Sequence, residues 1–207
     1  MYSQNGEDEF LLKYFSGREP GRLIDIGAHD GRTFSNSLAL IEAGWLGCLV
    51  EPNPQSMSEL IKLHGNNKRV TLVNCAILPT PTALIELWSS KHAISTVEPV
   101  FKDNWQQVGF DDFVPVWVAP ITPETLYRLS GPASFISIDV EDNNYGLANA
   151  MAPMLRLADA VCIEHSGMGL SCRDSLNKLF GELPGFRLDY ETPENLIYCK
   201  QLTKPAV

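Results

Sequence analysis

The chain has 207 residues, 44% of them hydrophobic, enough to bury one sizeable core and short enough that one domain spanning 1–207 is the default expectation. Its formal net charge of −9, with no basic run, disfavours nucleic acid and anionic membrane surfaces as partners. No cationic, apolar leader opens the sequence and no window approaches the ~18 apolar residues of a membrane span, so the reading is soluble and cytoplasmic.

In chain order, residues 1–20 read as a capping segment ahead of the first strand, Leu23 to Ile26. Phe34, Leu38, Ile41 and Trp45 then fall at helical spacing, with Gly44 near the C-cap. A short apolar run from Cys48 to Val50 follows, then Met57, Leu60, Ile61 and His64 repeat the helical stripe before Gly65. Val70 to Asn74 is the next strand. Residues 79–120 are rich in Pro, Trp and polar residues without a clear period, as in an insertion or an acceptor-covering element. Phe135 to Val140 and Ala160 to Ile163 are further buried-strand runs, and Pro153 should split the helical pattern from Leu147 to Leu157. Leu176, Leu179, Phe180 and Leu183 give another amphipathic helix. Two alternating runs, Phe186 to Glu191 and Leu196 to Lys200, then flank Thr192-Pro193-Glu194-Asn195 as an antiparallel hairpin at the sheet edge. The alternation implies an α/β fold, a right-handed doubly wound and mostly parallel sheet with helices on both faces. The five cysteines, an odd number mostly in apolar runs and without Cys-x-x-Cys spacing, read as reduced core thiols.

Chemistry concentrates where the first strand ends. Asp25-Ile26-Gly27-Ala28-His29-Asp30-Gly31 is a glycine-spaced turn, answered by Glu51 at the next strand tip. His29 stands where a pyrophosphate fingerprint needs its middle glycine, so a dinucleotide is disfavoured. A phosphate-free nucleoside such as S-adenosylmethionine needs only close backbone approach, an acid for its ammonium or ordered water, and a second acid for its ribose diol. Asp25 and Glu51 fit these two roles.

Tyr2-Ser3-Gln4-Asn5-Gly6-Glu7-Asp8, the Asp25 to Gly31 turn, Phe34-Ser35-Asn36-Ser37, Gly44-Trp45-Leu46-Gly47, Val50-Glu51-Pro52-Asn53-Pro54 and Ile136-Ser137-Ile138-Asp139-Val140-Glu141 together resemble the FkbM-type methyltransferases, in the same order and from residue 2 to about 165. The resemblance implies a Rossmann-like class I fold whose seven-stranded sheet ends in the antiparallel hairpin. It also implies S-adenosylmethionine as methyl donor and a small-molecule oxygen acceptor, such as a saccharide. Gly27 and Gly31, with Ala28 between them, would lie against the methionyl part, Glu51 on the ribose hydroxyls, Asn53 beside the adenosine and Cys75 at the adenine edge. Gln4 and Glu7 would belong to a segment closing over the pocket, although Ser3 and the acids after it are also what a helix start requires. Family members commonly continue Asp-Val-Glu-Gly where this chain has Asp142-Asn143-Asn144-Tyr145.

A sulfonium makes its methyl group electrophilic, so catalysis asks for an aligned oxygen and a base. Asp139 and Glu141 end the fourth strand of the parallel run, and Glu164 and His165 end the fifth, beside Ser166-Gly167. Asp139 would contact the methionine end or orient the acceptor, Glu164 would stand beside it, and His165 is the expected base because histidine is the side chain suited to proton transfer near neutral pH. Asp139, Glu164 and His165 also form a candidate divalent-ion set, although strand-end carboxylates equally cap helices or hold water. His92 reads as an exposed loop residue, with a base as the alternative, and Trp88, Trp105, Phe110, Phe113 and Trp117 as packing of the insertion on the sheet, with an acceptor-pocket lining or a subunit contact as the alternatives. The rival readings are a cofactor-binding protein without turnover and a nucleotide-dependent oxidoreductase.

Overall fold

In the computed structural model, which describes residues 1–80, 82–141, 144–165 and 170–201, the short apolar runs pair into one sheet. The elements are α1 (Glu7–Tyr14), β1 (Arg22–Ile26), α2 (Leu38–Glu42), β2 (Leu46–Val50), α3 (Pro54–His64), β3 (Val70–Val73), β4 (Ala76–Ile77), β5 (Ile85–Ser89), α4 (Pro99–Gln107), β6 (Val114–Val118) and β7 (Pro120–Ile121). They continue with α5 (Pro123–Ser130), β8 (Phe135–Ile138), α6 (Asn144–Ala150), α7 (Ala152–Leu155), β9 (Ala160–Glu164), α8 (Leu170–Glu182), β10 (Phe186–Glu191) and β11 (Asn195–Lys200).

The main sheet has seven strands in the order β10-β11-β9-β8-β1-β2-β3. Strands β3, β2, β1, β8 and β9 run parallel, and β11 is antiparallel to both β9 and β10. Alternation along the strands divides the core in two. Ile24, Val50, Ile136 and Ile163 pack with Leu126, Leu155 and Leu176 from α5, α7 and α8. Leu23, Leu49, Phe135 and Cys162 face the other way, onto Leu11, Ile41 and Leu60 from α1, α2 and α3. Covering both faces is why these strands are buried along nearly their whole length rather than at every second position. Chain order reverses between β1 and β8, and the carboxyl ends of strands on either side of such a reversal splay to form a crevice.

Three sequence expectations change in detail. The helix expected from Phe34 to Trp45 covers only Leu38–Glu42, because Phe34 is exposed at φ +59° and Ser35 Oγ accepts from Leu38 N at 3.1 Å, starting the helix there. The third strand stops at Val73, since the Asn74 amide turns back to donate to Glu51 O at 2.8 Å. Within 79–120, β5 and β6 form an antiparallel hairpin enclosing α4, with Leu87 and Val118 packed on Ala76. The split around Pro153 is present as expected, with α6 ending before Met151 and α7 carrying the proline in its first turn. All five cysteines are buried, and none is in a disulfide. Among the described residues no helix is long and apolar enough to cross a membrane.

Candidate functional site

A cleft of about 750 Å³ opens at the β1/β8 switch point. Its floor is the β1 turn. Gly27 sits at φ +86°, and a Cβ built there would lie 1.5 Å from the Asp139 carbonyl oxygen. Glycine is therefore imposed by the approach of the β8 terminus as well as by any ligand. Gly27 N and Ala28 N both donate to Val50 O, at 3.0 and 3.1 Å, which brings the β1 turn against the tip of β2. Glu51 stands at that tip, buried, accepting from His29 N and Asn53 N at 2.8 Å each. Burial outweighs those two bonds and pushes its carboxyl up to about 7, with the Asp25 charge adding to the rise. Asp25 is also buried and accepts from Ser37 Oγ at 2.6 Å, yet burial still lifts it to about 6.

On the β8/β9 side, Asp139, Glu141 and Glu164 bring carboxylate oxygens within 4.8 Å of one another. Asn144 ties the two strand ends together, accepting from Val140 N at 3.0 Å and donating to Glu164 at 3.2 Å. Burial, then the neighbouring Glu164 and Glu141, hold Asp139 well above the usual carboxylate range. Such crowding favours a proton shared between Asp139 and Glu164.

Most of the expected site residues meet here. Gln4, Asp25, Gly27, Ala28, Glu51, Cys75, Asp139 and Glu164 all line the cleft. Burial pushes the Cys75 thiol up to about 11, so it stays neutral. Four expected residues lie elsewhere. Glu7 is fully buried, accepting from Thr192 Oγ1 and Asn195 Nδ2 at 3.0 Å each, and so locks α1 to the C-terminal hairpin. Gly31, at φ +77°, packs beneath α3, where a Cβ would come within 2.6 Å of Leu60. Asn53 caps α3 through Gln55 N at 3.0 Å and reaches the 89–95 loop through Ser89 Oγ, Ser90 O and Ser95 Oγ. His165 turns to the hairpin, its backbone N–H on Glu194 O and its Nε2 3.2 Å from Thr192 O. Glu141, not His165, completes the acidic cluster. Asp142, Asn143, Ser166 and Gly167 lie outside the described residues.

Other lining residues carried weak sequence signals. His92, Trp105 and Phe110 form a T-shaped aromatic group on the cleft wall, with ring centroids 5.2 and 5.5 Å apart, so the pocket-lining alternative fits Trp105 and Phe110. His29 lines the turn with Nδ1 3.1 Å from Ser56 Oγ, and burial lowers its pKa. Seven of the lining residues are Asp or Glu and one is Lys, so the cleft favours cationic or neutral occupants over polyphosphates.

No family profile and no curated protein matches the chain. Solved structures do. A precorrin-6Y C5,15-methyltransferase from Geobacter metallireducens is 13% identical, with a TM-score of 0.52 over 94% of this chain and 87% of that one. The S-adenosylhomocysteine-bound methyltransferase PaMTH1 of Podospora anserina is 13% identical, with a TM-score of 0.51 over 96% and 80%. A candidate RNA methyltransferase of Pyrococcus horikoshii, PH1948, is 12% identical, with a TM-score of 0.51 over 95% and 82%. The chain has the Rossmann-like fold of these methyltransferases, a mostly parallel seven-stranded sheet closed by an antiparallel hairpin.

Proposed function

We propose that the protein is an S-adenosylmethionine-dependent O-methyltransferase of FkbM type, one cytoplasmic domain acting on a hydroxyl of a small molecule of the saccharide class. The observation that carries this reading is the convergence, in one cleft, of the Gly27-Ala28 turn, the buried Glu51 carboxylate and the Asp139–Glu164 pair. Glu51 keeps lone pairs beyond those used by His29 N and Asn53 N, and a ribose diol would donate to them. Cys75, Ala76 and Ile77 offer an apolar wall for a base at the end of β3.

The bound sulfonium would supply an electrophilic methyl group. The chain's part is then to align the acceptor oxygen and accept its proton as the new C–O bond forms. With His165 facing the hairpin, that proton goes to the Asp139–Glu164 pair, which burial and mutual repulsion make unusually basic for carboxylates. A divalent ion, if one takes part, would be held by Asp139, Glu141 and Glu164, an all-oxygen set suited to magnesium, and would acidify the hydroxyl. The acidic lining and the net charge of −9 favour a small acceptor over RNA. The experiment is methyl transfer to a panel of glycosides and to RNA, each with and without chelator, read as S-adenosylhomocysteine formed. Turnover on a glycoside supports the reading, and turnover on RNA alone refutes the acceptor class.

A further inference from the structure

The loop between β1 and α2 holds one polar atom that the folded chain leaves without a partner. Asn36 lines the cleft and is only 6% exposed, and its Oδ1 is enclosed with no donor facing it among the described residues. A buried carbonyl oxygen without a donor is destabilising, and well-folded chains rarely retain one without a use.

The loop does not need Asn36 for its own closure. Ser35 Oγ accepts from Ser37 N and Leu38 N at 3.3 and 3.1 Å, and Ser37 Oγ donates to Asp25 Oδ2 at 2.6 Å. The flanking serines thus fasten the loop to β1 and leave the amide between them unengaged. The next residue, Ser37, is bonded to the buried Asp25 carboxylate, which lines the same cleft. An amide oxygen and a carboxylate are both acceptors, and the group that satisfies two acceptors of one cleft while neutralising one charge is a primary ammonium, with three N–H donors. A hydroxyl would satisfy one of them, and a carboxylate or phosphate would be repelled. The χ2 torsion of an asparagine is broad and two-fold, so the oxygen can turn to meet such a group at little cost.

Resting on the cofactor reading above, we infer that Asn36 is a ligand-contacting residue whose Oδ1 accepts an N–H from the ammonium group of the aminoacyl arm of S-adenosylmethionine, held at Asp25. Asn36 then selects for the arm rather than for the nucleoside.

The test is calorimetric titration of the wild type and Asn36→Leu with two ligands: S-adenosylhomocysteine, and 5′-methylthioadenosine, which keeps the adenosine and thioether but lacks the aminoacyl arm. The variant is expected to bind S-adenosylhomocysteine about tenfold more weakly and methylthioadenosine unchanged. Its melting temperature without ligand should equal or exceed that of the wild type, because the orphaned oxygen is gone. Equal losses for both ligands, or no loss for either, would overturn the inference and leave the cofactor reading intact. A wild type that binds neither ligand would overturn the cofactor reading and the inference with it. Asn36→Ala, which only removes atoms, carries the same expected split between ligands if the leucine variant does not fold.

Discussion

Replacing Glu51 by glutamine should change how stability depends on pH more than it changes stability itself. In the wild type the carboxyl is 5% exposed and its pKa is raised from 4.5 to about 7. A raised pKa means that the native state binds the proton more tightly than the unfolded chain. The associated stability is therefore present in full below about 4.5 and is lost as the pH climbs through 7. At ~1.4 kcal/mol per tenfold change in proton affinity, the loss between pH 4 and pH 8 is about 3 kcal/mol. Glutamine does not titrate, but its amide oxygen can serve only one of the two backbone N–H groups now held by the carboxylate, those of His29 and Asn53. The other is left facing an NH₂ group, at about 1–3 kcal/mol. Glu51→Gln should thus be less stable than the wild type at pH 5, and the gap should close or reverse by pH 8. Asp25, Asp139 and the remaining carboxylates titrate in both proteins and largely cancel in the comparison. The assay is urea unfolding at half-unit pH steps. Parallel stability curves for the two proteins would refute the claim that Glu51 is a buried carboxylate held up by desolvation.

Gly27→Ala should destabilise the fold by more than about 3 kcal/mol, because the added Cβ, 1.5 Å from the Asp139 carbonyl oxygen, forces β1 and β8 apart in a left-handed conformation; thermal melting reads this, and a melting point near that of the wild type would exclude the close approach. Asp139→Asn should depress methyl transfer at least 100-fold with S-adenosylhomocysteine affinity within a few fold, whereas His165→Ala should leave kcat intact and cost about 1 kcal/mol of stability through the lost contact to Thr192 O. The opposite pattern would return the base to His165. Wild-type kcat should show an acid limb displaced well above the usual carboxylate range, since burial and Glu164 hold Asp139 high and the base must be deprotonated to act; an acid limb at the ordinary carboxylate position would contradict that assignment.

The sheet was legible because a parallel strand covered on both faces is predominantly apolar, and β1, β2, β8 and β9 read that way between their end residues, apart from Asp25 in β1 and Ser137 in β8. The acids at their tips were legible for a related reason, since a charge ending such a run sits at the strand's carboxyl end. His165 faces the hairpin as the two-residue period requires: with Glu164 at the cleft, its neighbour in an extended chain points away. Asn53 carried a cap signature, Asn-Pro ahead of an apolar helical stripe, that pointed to its role at the start of α3. Gly31 was placed against the ligand by the family resemblance, whereas in the fold a side chain there would meet Leu60, about 30 residues away and invisible to a local pattern. The β5–β6 hairpin was hidden because its pairing spans the whole of α4. The orphaned oxygen of Asn36 follows only from what the packed loop fails to provide.

The central claim is that the cleft holds a phosphate-free adenosine cofactor, and titration of the purified protein with S-adenosylhomocysteine, with NAD as the control, tests it most directly. Micromolar affinity for S-adenosylhomocysteine, lost in Glu51→Ala and absent for NAD, is the predicted result. No binding, or a preference for NAD, would contradict the account.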